Sequence, residues 1–232
     1  MRKYVSNFWP LYWIAAVLVV TVSLAASRAV TVLAESSPIS RENIIIIDAG
    51  HGGEDGGATS CTGILESRFN LEIALRLNDL MHLLGFETVM IRTTDISVYT
   101  QGSTIAAKKV SDLKERVRIV NETQNSFLIS IHQNIFADSQ YSGAQVFYND
   151  ESRLLAERLQ TALVSALNPG SRRKSKSASG VYLMQHIQRP GLLVECGFLS
   201  NPEEEGKLRT GEYQKKLCCV IAATVSKNLY DT

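Results

Sequence analysis

The chain has no surplus of charge of either sign. Its 24 Lys and Arg balance 23 Asp and Glu over 232 residues, so the broad basic field that nucleic-acid binding uses is missing. No internal repeat and no heptad run occurs, which sets aside repeat arrays and long coiled coils. The four cysteines, at 61, 196, 218 and 219, contain no C-x-x-C pair, which argues against a structural zinc site. Neighbours on a helix face different ways, and Cys196, Cys218 and Cys219 read as small apolar fillers. There is also no H-E-x-x-H, so a helix-borne zincin site is excluded.

The chain is 45% hydrophobic, enough for one good core. Residues 5–27 carry no charge and include Trp9-Pro10-Leu11-Tyr12-Trp13-Ile14-Ala15-Ala16-Val17-Leu18-Val19-Val20. A bilayer-spanning helix needs about 20 such residues. Arg2 and Lys3 precede the run and would stay in the cytoplasm. Two versions stand side by side: an uncleaved anchor over residues 1–30, or a signal segment cut near Val32-Leu33-Ala34. Either puts the rest of the chain outside the cytoplasm. Residues 31–42, polar and holding Pro38, read as a linker. The folded domain is expected over 43–232.

That domain is organised around Ile44-Ile45-Ile46-Ile47-Asp48-Ala49-Gly50-His51-Gly52-Gly53-Glu54-Asp55-Gly56-Gly57. Four β-branched residues in a row read as a strand buried on both faces. His51 follows it in a glycine-rich loop, at the strand end where open α/β sheets bind ligands. The plain alternative is a flexible turn with a surface histidine. A helix follows to Gly85, with Glu66 in its first turn, where a carboxylate also complements the helix dipole. Residues 86–92 read as a second strand, completing a parallel βαβ unit. Residues 93–111 read as a long loop, with Asp112 capping a helix to about Gln124.

Phe127-Leu128-Ile129-Ser130-Ile131-His132-Gln133-Asn134 repeats the theme of an apolar strand ending in histidine. A strand over 143–148 and a helix over 151–167 follow. Ser171-Arg172-Arg173-Lys174-Ser175-Lys176 is the most basic run, either a solvated loop or a patch touching an anionic polymer. Gly191-Leu192-Leu193-Val194-Glu195-Cys196-Gly197-Phe198-Leu199 sets a carboxylate inside an apolar strand, which is costly unless something pairs with it. Residues 203–209 and 213–230 read as helices. The pattern is α/β: a mixed, mostly parallel sheet of about six strands with helices on both faces. His82 reads as an exposed or half-buried helix residue, and His186 as a candidate to line the cleft.

His51, Glu66 and His132, expected on one sheet edge, make a catalytic zinc set of two imidazoles and a carboxylate that leaves a position for water. Glu195 is then the base. Their separation along the chain means that only the fold can assemble them.

The segments IIIIDAGHGGEDGGA, GILES, FLISIHQN, GAQVFY and GLLVECGFLSNPEE resemble the zinc-dependent N-acetylmuramoyl-L-alanine amidases of the Amidase_3 type, from about Asn43 to the end. The short single-domain build is similar to the family's sporulation members. The resemblance implies Zn²⁺ held by His51, Glu66 and His132, and Glu195 as the catalytic carboxylate; Asn134 and His186 read as candidate substrate contacts. It implies cleavage of the amide between N-acetylmuramic acid and L-alanine, in spore cortex, where peptide removal precedes muramic lactam formation. Its partners would be peptidoglycan, the membrane and a sporulation protein. Two departures are small: Ala49 stands where the family usually has Pro, and Ser67-Arg68 where it has Lys and an acidic residue or Asn. No wall-binding repeats are appended. Alternatives are another zinc hydrolase of the same polymer (a carboxypeptidase or deacetylase), a non-catalytic wall-binding protein on this fold, and a membrane-attached structural protein.

Overall fold

The computed structural model describes residues 44–230. The expected membrane segment over residues 1–30 and the expected linker over 31–42 lie outside them. Among the described residues no helix is long and apolar enough to cross a membrane.

Six strands form one mixed sheet: β1 (Ile44–Ala49), β2 (Thr88–Met90), β3 (Ser126–Asn134), β4 (Gln145–Tyr148), β5 (Lys176–Ser177) and β6 (Gly191–Phe198), in the order β2-β1-β3-β6-β4-β5. The pairings of β1, β2, β3 and β6 are parallel. Among the described strands β4 pairs with β6 antiparallel, and β5 runs parallel to β4. The helices are α1 (Glu66–Leu83), α2 (Ile105–Glu122), α3 (Arg153–Leu167), α4 (Tyr182–His186), α5 (Pro202–Leu208) and α6 (Gly211–Tyr230).

Alternation along the strands feeds two cores. On one face Ile46, Leu128 and Leu193 pack with Val120 of α2 and with Leu183 and Met184 of α4. Ile45, Ile47, Ile129 and Val194 point the other way and are fully buried; α1 packs on β1 and β3 there, and α6 on α1 and α3. Full burial of each such side chain is worth about 1.5–3 kcal/mol.

Several expectations need correction. The polar stretch is not a loop to residue 111: α2 starts at Ile105, capped by Thr104, whose Oγ1 accepts from Ala107 N–H at 3.2 Å. Asp112 therefore lies inside the helix, buried, where Arg116 Nε donates to its Oδ2 at 2.6 Å. β2 is shorter than 86–92, and the small elements β5 and α4 had no sequence signal. Cys219 is exposed while Cys218 is buried, because helix neighbours stand about 100° apart.

Candidate metal centre

The same alternation that builds the core aims the site. Asp48, Ser130, His132 and Glu195 share parity with Ile46, Leu128 and Leu193, so all four point to the α2 side of the sheet. In the register His132 lies directly opposite Glu195. The carboxyl ends of β1 and β3 adjoin, and Gly50 N–H donates to Ile131 O at 3.0 Å. Glu66, the first residue of α1, reaches in from the other side.

One ligating atom from each of His51, Glu66 and His132 falls within a cluster 4.8 Å across. Glu66 is the hub. Its Oε1 lies 3.0 Å from His132 Nδ1 and accepts from Gln133 N–H at 3.1 Å and Asn70 Nδ2 at 3.2 Å. Its Oε2 accepts from Ala58 N–H at 3.0 Å and lies 3.3 Å from His51 Nε2. Burial opposes the Glu66 charge, but the hydrogen bonds from His132 and His51 outweigh it and hold the carboxyl well below the usual range. For His51, burial works against protonation, yet the bonds to Glu66 and Asp55 raise its pKa to about 9.

Two features hold this geometry. His51 has a left-handed backbone, φ 60°, which costs a non-glycine residue about 1–3 kcal/mol. Arg116 compensates: its Nη2 donates to His51 O at 2.8 Å and its Nη1 to Ala49 O at 3.0 Å and to Asp48. Arg92 adds bonds to Ala49 O at 2.7 Å and Gly50 O at 3.0 Å. Asp55 Oδ2 sits 2.9 Å from His51 Nδ1, leaving Nε2 to face Glu66, and Lys109 pairs with Asp55 at 2.7 Å. The second feature is Gly50: a Cβ there would stand 2.1 Å from His132 Nε2, so only glycine lets that ring lie against the chain.

Glu195 is set into this group. Burial pushes its pKa up to about 7, with His132 opposing and Glu66 adding to the shift. Its Oε2 is buried without a hydrogen-bond partner. Such an orphan is rare and marks a place for chemistry or an ion. Two imidazoles, one carboxylate and an unpartnered carboxylate oxygen beside them are donors that suit zinc.

A groove of about 510 Å³ opens over the site, lined by Lys109, Leu113 and Arg116 of α2, by Gly180 to Leu183, and by His51, His132, Leu193 and Glu195. His186 is not among its lining residues. It is exposed, with its ring stacked on Tyr182 at 3.9 Å and its Nδ1 2.8 Å from Tyr182 O; one helical turn places it behind the tyrosine. Asn134 stands half-buried at the end of β3, also outside the lining, and its carbonyl accepts from Leu199 N–H at 2.8 Å. Asp55, Arg116, Arg92 and Asn70 had not stood out in the sequence. Asp55 lies within the His51 loop, but Asn70 on α1, Arg116 on α2 and Arg92 just past β2 reach the site only through packing.

A His–Glu–His cluster at the carboxyl edge of an α/β sheet, with an unpartnered carboxylate oxygen alongside, is the donor set of metal-assisted hydrolases. The chain belongs to the Amidase_3 family, N-acetylmuramoyl-L-alanine amidase, whose model matches residues 45–227. A germination-specific N-acetylmuramoyl-L-alanine amidase of Bacillus subtilis is 38% identical over 190 residues, covering 80% of this chain and 79% of the relative. Among solved structures, the CwlD amidase of Clostridioides difficile, determined in complex with the GerS lipoprotein, superposes with a TM-score of 0.78 at 34% identity, over 82% of this chain and 99% of that one. An N-acetylmuramoyl-L-alanine amidase of Clostridium difficile 630 gives 0.72 at 28%, over 83% and 100%.

Proposed function

We propose that this chain hydrolyses the amide between the lactyl group of N-acetylmuramic acid and L-alanine in peptidoglycan, freeing the stem peptide from the glycan. The observation that carries this is the convergence of His51, Glu66 and His132 with the unpartnered oxygen of Glu195 beside them. Family membership supports the choice of bond. His51, Glu66 and His132 would hold zinc, which when bound polarises a carbonyl and lets water ionise near neutral pH. Asp55 fixes the tautomer of His51 by taking its Nδ1. Glu195, poised near neutral pKa, accepts the proton of the attacking water and passes it to the leaving amine of L-alanine. The groove over the site gives the polymer access, and its apolar wall of Leu113, Val181, Leu183 and Leu193 keeps bulk water from the reacting amide.

The setting we infer is the spore cortex, outside the cytoplasmic membrane, with residues 1–30 as the membrane segment and 43–232 as the catalytic domain. The relative named for germination supports the setting, and the CwlD complex with a lipoprotein supports a protein partner. Asn134 and His186 would then act at the periphery of substrate binding rather than inside the groove.

The test is mass spectrometry of muramyl-peptide incubated with the full-length chain and zinc. Release of a peptide with a free L-alanine amino terminus is expected. Release of acetate or of a terminal D-alanine instead would replace the amidase reading by a deacetylase or carboxypeptidase. Wild-type zinc content in His51→Ala, Glu66→Ala or His132→Ala would remove that residue from the ligand set.

A further inference from the structure

The basic run 171–176 takes no part in the site described above, and it is not a free loop. Arg173 turns inward: its Nε donates to Ser142 O at 2.6 Å, its Nη1 to Gln145 Oε1 at 3.1 Å, and its guanidinium lies 4.5 Å over the Phe198 ring. Gln145 Nε2 in turn donates to Lys174 O. The run then enters β5, the outermost strand of the sheet. Pinned in this way, residues 171–175 lead into β5 without a helix or bend, and exposure alternates along the run: Arg172, Lys174 and Lys176 are exposed, and Ser171, Arg173 and Ser175 are half-buried. Alternate residues of an extended chain point to one side about 6.6–7 Å apart, so the three cations form a row about 13 Å long.

None of the three is within ion-pair distance of a carboxylate among the described residues. By contrast Lys108, Lys109, Arg118, Arg153, Lys207 and Lys216 all are. The sequence has no Asp or Glu between Glu157 and Glu195. The row is also tied to the catalytic strand. Gln145, which holds it, lies directly opposite Glu195 in the β4–β6 register, and two strand spacings separate β6 from β5, about 10 Å.

We propose that Arg172, Lys174 and Lys176 form a cationic strip that grips the peptidoglycan strand outside the groove, through the free carboxylates of its neighbouring stem peptides. This rests on the proposed substrate. A polymer presents the same anionic group at every repeat, so a second contact near the reacting unit raises effective concentration without touching the chemistry.

The probe is insoluble peptidoglycan sacculi, in one sample stripped of phosphodiester polymers and in another left intact. Full-length wild type is compared with the triple variant Arg172→Gln, Lys174→Gln, Lys176→Gln, and with the control Lys215→Gln, Lys227→Gln, which removes exposed cations from α6. Thermal unfolding checks that all three fold alike. On stripped sacculi the triple variant is expected to bind roughly tenfold more weakly at low salt, with a flatter salt dependence. The control is expected to match wild type, and cleavage of a soluble muramyl-dipeptide to be unchanged in both variants. Equal binding of the triple variant and wild type to stripped sacculi overturns the proposal and leaves the lysines as guards of an exposed sheet edge. So does equal loss in the control, or loss on intact sacculi only, which would assign the strip to a phosphate polymer. If no protein cleaves the soluble substrate but the binding difference persists, the amidase reading fails and the strip stands.

Discussion

Replacing Glu195 by Gln separates chemistry from stability in a way the structure makes quantitative. The side chain is half-buried in the groove lining, its Oε2 is buried without a partner, and desolvation raises its pKa from 4.5 to about 7. Between those two values the native state holds a proton that the unfolded chain has released. Native stability therefore falls as pH rises through this window, and the loss is complete above pH 7. A shift of roughly 2.5 units corresponds to about 3 kcal/mol. Gln keeps the shape and carries no charge, so it escapes that loss. In metal-free protein the stability difference should move in favour of Glu195→Gln by about 3 kcal/mol between pH 4.5 and pH 8. In melting temperature this is roughly 6–12 °C. Turnover moves the other way: an amide cannot accept the proton of the attacking water, and a lost general base costs about 10² to 10⁴ in rate. The assay takes one preparation of each protein and measures unfolding in chelator at pH 4.5 and 8, zinc content, and muramyl-peptide cleavage. Near-normal cleavage by folded, zinc-loaded variant would refute the role of Glu195 as base. A variant that loses stability relative to wild type as pH rises would refute the account of a buried, unpaired carboxylate.

Other expectations can be checked alongside. Zinc must displace the proton that Glu66 and Asp55 hold on His51, so affinity should climb with pH up to about 9, the pKa of His51 in the metal-free site, and level off above it; titration calorimetry in several buffers reads both the affinity and the proton released, and a flat profile from pH 6 to 9 would contradict this. Arg116→Met strands the buried Asp48 and Asp112 and should cost about 3–5 kcal/mol in denaturant unfolding, whereas a loss under 1 kcal/mol would mean the network is solvated. In wild type Arg116 outweighs the burial that opposes Asp48 ionisation, and the Asp48 pKa is lowered. Its contribution to stability is therefore present above the ordinary carboxylate range and is lost as pH falls through the lowered value; Arg116→Met should blunt that acid-side loss. Gly50→Ala drives a methyl into the His132 ring and should abolish zinc binding at modest cost in melting temperature. Retained stoichiometric zinc would show that the ring can move aside.

The sequence by itself determined the central strands β1, β3 and β6 and the candidate chemistry. Ile44 to Ile47 and Phe127 to Ile131 can only be strands buried on both faces, because a parallel sheet covered by helices leaves no polar side. Glu195 stood out because an ionisable group in an apolar strand needs a reason. Tertiary structure decided what local pattern cannot carry. The start of α2 was hidden because Ile105 to Val110 has a weak apolar stripe, and Thr104 was not recognised as its cap. Asp112 resembled a cap because Asp is common there, yet its real partner is Arg116 one helical turn on. The pinning of the His51 loop by Arg116, Arg92 and Asp55, and the fit of His132 against Gly50, join residues up to 82 positions apart (50 to 132) or on separate elements. No periodicity encodes such contacts. They follow from the parallel β1–β3 register, which lays two strand ends side by side, and from helices packed on both faces that bring their charged groups over that edge.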